Sequence, residues 1–219
     1  MKILLVSATK FEIAPLLKNF KKIRSEKNLS TFRFGKHTID VLLTGVGMTA
    51  SAFHLGKILS NKYDLAINAG VAGSFKKNIP PGTVVNVVSD RFADLGAEDG
   101  NRFLTLKEMG LEEVTSFKSQ VSSLKIRKVL SGLPSVKGIT VNTVHGNPAS
   151  IKKVVRKFHP DIESMEGAAF FFACDLEKIP CLQIRAISNY VERRNKKNWK
   201  MELAIGNLNL FLQKFLYTI

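Results

Sequence analysis

Short apolar runs alternate with amphipathic stretches along this chain. Val41 to Thr44 and Leu65 to Ala69 are too short and too β-branched to be helices, and both predict buried parallel strands. Lys2 to Ser7 predicts a first central strand. Phe11 to Lys21 predicts a helix carrying Ile13, Leu16, Leu17 and Phe20, with Pro15 in its first turn, where proline is tolerated. Thr31 to Phe34 and His37 to Thr44 predict a hairpin across Gly35-Lys36. Further along, helices are predicted over Thr49 to Leu59, Ser122 to Leu130, Ala149 to Phe158, Glu166 to Leu176 and Met201 to Leu216. Strands are predicted over Asp64 to Ala69, Thr83 to Val88 (after the turn Pro80-Pro81-Gly82), Gly138 to Val144 and Cys181 to Ile187. The acid-rich stretch from Arg91 to Phe103, with Asp94, Glu98 and Asp99, predicts a loop. No repeat, linker or low-complexity tract interrupts this alternation, so the expectation is one α/β domain over residues 1–219.

Two glycine-punctuated segments follow the apolar runs directly: Gly45-Val46-Gly47 and Gly70-Val71-Ala72-Gly73-Ser74. Both predict tight turns. Glycine there lets the backbone approach a ligand, and in an open α/β sheet the ligand crevice lies at the carboxyl ends of the strands. The segments therefore predict a small-molecule site built where strands stop.

Composition narrows the classes. An apolar fraction of 45% and a mean hydropathy of +0.03 are those of a soluble globular protein. No apolar stretch approaches the roughly 20 residues of a membrane span, and no membrane partner is expected. Lys10 and Glu12 interrupt the run Ile3 to Val6, against a signal peptide. Cys174 and Cys181 are too few for a disulfide framework and predict small buried thiols; together these features predict a cytoplasmic protein. The net charge of +15 raises the question of nucleic acid. Its lysines (Lys18, Lys21, Lys22, Lys57, Lys107, Lys125, Lys152 and Lys153 among them) are scattered over many predicted helix faces, with no aromatic-interleaved stripe. The expectation is a solvated basic surface without a nucleic-acid partner, whose positive field attracts anionic small substrates. A non-catalytic nucleic-acid-binding protein is the alternative that the charge allows.

Candidate chemistry is sparse until segments are combined. Gly45-Val46-Gly47-Met48-Thr49-Ala50 formally matches a dinucleotide fingerprint, with Asp64 at about the expected distance. However, a strand, a helix and a hairpin precede it, where the fingerprint normally opens the first βαβ unit. His37, His54, His145 and His159 have no metal-ligand spacing, nor do the cysteines, and no local motif supports a triad. The stronger set is Ala8-Thr9-Lys10-Phe11-Glu12, Glu163-Ser164-Met165-Glu166-Gly167-Ala168-Ala169 and Arg185-Ala186-Ile187-Ser188-Asn189. Each borders a predicted strand end. Singly, Glu12 and Glu166 are explained as first-turn glutamates favoured by a helix dipole; together the segments define one crevice.

Ile67 to Gly73, Ser164 to Ala169 and Arg185 to Ser188 resemble the nucleoside phosphorylase and nucleosidase superfamily. Within it, Ala186 to Asn195 through Trp199, and Phe92-Ala93-Asp94-Leu95-Gly96, are most similar to the futalosine hydrolases of menaquinone biosynthesis. The resemblance runs from Met1 to the last helix. It implies a three-layer α/β/α sandwich with a mixed central sheet, a homo-oligomer, and hydrolysis of the N-glycosidic bond of a purine nucleoside without metal or organic cofactor. By the same resemblance Glu12 activates water, and Met165 and Glu166 grip the ribose. Gly45, Gly70, Val71, Ala72, Gly73, Arg185 and Ser188 belong to the substrate site. Asn189 departs from the adenine-releasing nucleosidases, which carry aspartate there. An amide offers N–H donors to O6 and N7 of hypoxanthine, both acceptors, whereas an ionised carboxylate would repel them. A methylthioadenosine/S-adenosylhomocysteine-type nucleosidase is thus opposed by Asn189. A phosphorylase is opposed by Val71, which stands where a phosphate-binding hydroxyl could help, and by the lack of arginine near Gly45. Arg193, in the run Arg193-Arg194-Asn195-Lys196-Lys197, is a candidate for the carboxylate arm of futalosine, since guanidinium suits bidentate carboxylate contact.

Overall fold

Alternation along the first strand sets the layout. In the computed structural model, which describes residues 1–59, 63–111 and 116–219, β1 (Lys2–Ser7) sends Ile3 and Leu5 into one hydrophobic core and Leu4 and Val6 into another. Side chains of an extended chain point alternately to opposite faces, so an all-apolar strand requires cover on both. Helix α1 (Lys10–Leu17) follows, then the meander β2 (Lys21–Glu26), β3 (Leu29–Phe34) and β4 (His37–Leu43). Next come α2 (Met48–Ile58), β5 (Leu65–Ser74), β6 (Val84–Asp90), the small hairpin β7 (Gly96–Asp99) and β8 (Arg102–Thr105), and β9 (Phe117–Lys118). The chain finishes with α3 (Leu124–Leu130), β10 (Ser135–Thr140), α4 (Pro148–Phe158), β11 (Ile162–Ser164), α5 (Gly167–Leu176), β12 (Cys181–Tyr190) and α6 (Met201–Thr218).

The result is a mixed α/β fold around a mixed central sheet of order β11-β10-β6-β12-β5-β1-β4-β3-β2. β1 is parallel to β4 and β5, and β12 is parallel to β5 but antiparallel to β6. The sheet is not open throughout. β11 also pairs with β5, antiparallel, so β5, β12, β6, β10 and β11 close into a ring. Side chains of α1, α3 and α6 join the core containing Ile3 and Leu5, and those of α2 and α5 join the other. Cys174 and Cys181 are both buried and free; the hydrogen bond with Cys181, and then burial, push the Cys174 thiol upward.

Several sequence expectations are corrected. The first helix stops at Leu17, and Pro15 lies in its second turn, not its first; the proline leaves the Phe11 carbonyl without its helical N–H partner. Lys21 to Glu26 is an exposed edge strand, invisible to hydrophobic patterning because none of its residues is buried. Lys21 and Lys22 accordingly lie on this strand and not on a helix. Arg91 to Phe103 contains β7 and the start of β8. The strand expected from Gly138 to Val144 runs instead from Ser135 to Thr140. Most consequential, Gly70 to Ser74 is no turn: it is the second half of β5, paired with β12 and, at Gly73 and Ser74, with β11.

Candidate functional site

The carboxyl ends of β1, β5, β11 and β12 meet at a cavity of about 310 Å³ whose lining includes Glu12, Val71, Gly73, Met165, Glu166 and Asn189. Glu12 is in the first turn of α1 and 7% exposed. Its Oε2 accepts from Thr9 N (2.9 Å), Thr9 Oγ1 (3.1 Å) and Ser7 Oγ (3.1 Å). The bond from Thr9 N is half of a capping box, which is why an S/T-x-x-E pattern at a helix start holds its glutamate in place. Oε1 accepts from Val71 N on β5 at 3.1 Å. The carboxylate thus bridges the end of one central strand to the next.

Glu166 stands at the N-terminus of α5, 6% exposed. Its Oε1 accepts from Gly47 N (3.1 Å), and its Oε2 faces Arg185 Nη1 (3.4 Å). Gly47 caps α2 with φ +100°, and Gly45 has φ +81°, so the fingerprint-like segment is a real left-handed turn. Its amide holds a side-chain carboxylate of the protein itself at a helix N-terminus, where partial positive charge collects. Asp64, the supposed acidic partner of that fingerprint, lies just before the amino end of β5 and accepts from Lys2 N at 2.7 Å, far from the crevice end of the strand.

Asn189 is aimed by a β-bulge. The register of β12 against β5 slips between Ile187, opposite Ala72, and Asn189, opposite Gly73, leaving Ser188 as the extra residue. A bulge breaks strict alternation, and here both Ser188 and Asn189 reach the cavity. Ser188 Oγ donates to Asn189 Oδ1 at 2.7 Å, and Asn189 Nδ2 donates to Tyr190 O at 2.8 Å. Among the described residues the second N–H of this amide has no partner, which leaves it available as a donor.

Of the residues singled out in the sequence, Glu12, Asn189, Val71, Ala72, Gly73, Met165, Glu166, Ser188 and Arg193 line this one cavity; Gly45, Gly70 and Arg185 do not. Arg185 is 1% exposed and works from behind. Its Nε donates to Gln183 Oε1 (2.8 Å), its Nη2 to Asn68 Oδ1 (2.5 Å), and its Nη1 faces Glu166. Gln183 in turn donates to Asp90 Oδ2 at 3.1 Å. Burial pushes the Asp90 carboxyl up to about 6, against the opposing hydrogen bonds from Gln183 and Thr140. Gly70 supplies room: a Cβ there would lie 2.5 Å from Arg185 Nη1 and 2.7 Å from Glu12 Oε1.

His145, Phe11, Tyr190 and Trp199 also line the cavity; the sequence weighs His145 only as a metal ligand or triad member, and Phe11, Tyr190 and Trp199 lie within its candidate segments without a role of their own. His145 is tied to Glu163 at 2.7 Å. The two are 18 positions apart, His145 in a loop and Glu163 on β11, so no local spacing signals the pair. Trp199 carries the Arg194 guanidinium over its ring at 5.0 Å.

A futalosine hydrolase from Streptomyces coelicolor is 30% identical over 177 residues, covering 77% of this chain and 74% of that relative. One from Thermus thermophilus is 28% identical over 179 residues, covering 80% of each. Among solved structures, a futalosine hydrolase mutant of Helicobacter pylori superposes with a TM-score of 0.84 at 19% identity, covering 100% of both chains, a likeness of fold. The family model described as the phosphorylase superfamily matches residues 2–216, and the chain belongs to that superfamily.

Proposed function

We propose that this protein hydrolyses the N-glycosidic bond of futalosine, releasing hypoxanthine. The observation that carries the reading is the convergence of Glu12, Glu166 and a neutral amide, Asn189, on one cavity. Such glycosyl chemistry passes through a ribose with oxocarbenium character. Glu12 accepts a proton from the attacking water and favours the positive charge developing beside it. Glu166, with Met165 beside it, accepts from the ribose 2′ and 3′ hydroxyls. The free N–H of Asn189 donates to the O6/N7 edge of a 6-oxopurine. Where a site is built around such polar bonds, a mismatched edge costs on the order of 10⁴-fold in discrimination.

Arg193 and Arg194 stand at the exposed rim of the cavity, in reach of an anionic substituent. Reversing both charges is expected to raise KM for futalosine more than for inosine. The same reading takes residues 1–219 as one catalytic domain. The two cores flanking the sheet support a three-layer α/β/α arrangement. Self-association is supported by exposed Phe53, Leu95, Phe172 and Leu176.

The test is to incubate the purified protein with futalosine, inosine and methylthioadenosine, with and without phosphate, and identify the base released. Hypoxanthine from futalosine, at a rate indifferent to phosphate, is expected. Faster release of adenine from methylthioadenosine would replace this reading with the related nucleosidase activity, and dependence on phosphate would replace it with a phosphorylase.

A further inference from the structure

A purine leaves readily only when a proton reaches its ring, and none of the three groups above delivers one. Glu12 takes a proton from water, Glu166 accepts from the sugar, and the amide of Asn189 donates hydrogen bonds without releasing a proton. The cavity nevertheless contains a group with the right chemistry. The Glu163 side chain, 4% exposed, has both oxygens committed to His145: Oε1 accepts the backbone N–H at 3.0 Å and Oε2 meets Nδ1 at 2.7 Å. This double tie fixes the ring rotation and leaves Nδ1 as the donor to the carboxylate. Nε2, across the ring, has no hydrogen-bond partner among the described residues. The imidazole is 17% exposed and lines the cavity.

Gly73 locates the pair relative to the base edge. It is the residue of β5 that pairs with Glu163 on β11 and with Asn189 on β12. A Cβ added there would lie 3.5 Å from Asn189 Nδ2 and 3.7 Å from Glu163 Cγ. The Asn189 amide and the Glu163 stem therefore both lie within 4 Å of one point beside Gly73, and His145, Glu163 and Asn189 all line the same cavity.

The geometry points to His145 as the general acid for the departing purine, with Glu163 as the residue that positions it; this rests on the proposed nucleoside hydrolysis. In the step, the C1′–N9 bond breaks with its electron pair going to the purine, and the proton on Nε2 of the imidazolium passes to a purine ring nitrogen. Water forms the C1′–O bond and gives its proton to Glu12. Exchange with solvent then returns the proton from Glu12 and reprotonates His145. Glu163 neutralises the ring while it is charged and keeps its tautomer and orientation, the part a buried carboxylate plays behind a catalytic histidine.

The experiment compares wild type, His145→Gln, His145→Asn and Glu163→Gln on two substrates. One is futalosine, or whichever purine nucleoside the wild type cleaves. The other is 4-nitrophenyl β-D-riboside, whose leaving group departs without a proton. Loss of general acid catalysis is expected to lower kcat on the purine nucleoside by about 10²-fold or more. KM and melting temperature should stay near wild type, and the loss on the nitrophenyl riboside should be less than about 10-fold. Glu163→Gln should show the same selectivity with a smaller loss. His145→Asn offers Glu163 a shorter amide and serves should the glutamine variant fold poorly. Equal losses on both substrates, or a purine-nucleoside kcat within about 5-fold of wild type, would overturn the assignment. Failure of the functional proposal reads out separately, in the base released by the wild type.

Discussion

Gly45–Gly47 and Gly70–Gly73 look alike in the sequence, each a glycine pair at the end of an apolar run, yet the structure uses them for opposite reasons. At Gly45 and Gly47 the backbone is left-handed, and nothing lies within 4 Å of a Cβ added at Gly47. Glycine is there for its dihedral angle, turning the chain so that an amide can point at Glu166. At Gly70 and Gly73 the backbone is ordinary strand, and an added Cβ would collide, with Arg185 and Glu12 at Gly70 and with Val191 Cγ2 at 2.9 Å at Gly73. Glycine is there for its missing side chain, letting charged groups at Gly70 and Val191 at Gly73 pack against a strand. The first pair constrains the fold; the second constrains the site.

Substitutions can break this contrast, and Glu12→Gln sets the scale. It keeps the volume and removes the base, and kcat for nucleoside cleavage is expected to fall by about 10³-fold, measured well below a melting temperature that should itself drop, because the new amide N–H faces the backbone donor of Thr9 or Val71. Gly70→Ala should approach that effect without touching a reacting group. Its methyl displaces the Glu12 carboxylate and the Arg185 guanidinium, and a loss of about 10²-fold in kcat is expected, since small misplacements of catalytic groups cost this much. Activity within about 3-fold of wild type would mean that β5 yields instead.

Behind Gly70 the ionic network ends on Asp90, whose carboxyl is raised to about 6 by burial. A raised carboxyl pKa means that the folded state binds the proton more tightly than the unfolded chain. This contribution to stability is fully present below the ordinary carboxylate range and is lost as pH rises through 6. Relative to Asp90→Asn, wild type should therefore lose about 1.4 kcal/mol between pH 5 and pH 8, measured by urea denaturation at the two values. A difference that stays constant with pH would show that Asp90 is no such reservoir.

The smallest effect belongs to the other glycine pair. Gly47→Ala forces an L-residue into the left-handed region and should cost about 1–2 kcal/mol of stability. Because the amide that holds Glu166 is retained, kcat should change by less than about 3-fold. If Gly47→Ala were the more damaging to catalysis and Gly70→Ala the more damaging to stability, the contrast between the segments would be reversed.

Much of this protein was legible in its amino-acid order. The central strands, the hairpin across Gly35-Lys36 and the last helix follow from where apolar residues recur, because water expels them at a period that only one local geometry satisfies. The capping pattern at Thr9 and Glu12 is likewise local, and it positions a site residue. What stayed hidden depends on distant chain segments meeting. An edge strand that buries nothing has no hydrophobic signature. The pairing of β5 with β12, joined at Gly73 and Ser74 by β11, makes a strand of the segment read as a turn, since backbone hydrogen bonds outweigh the weak strand propensity of glycine. The bulge at Ser188 that turns Asn189 inward, the space beneath Gly70 and the meeting of His145 with Glu163 have the same origin. Local chemistry decides which residues are available; only closure of the sheet decides which of them stand together, because contact between residues far apart in the chain is a property of the packed whole.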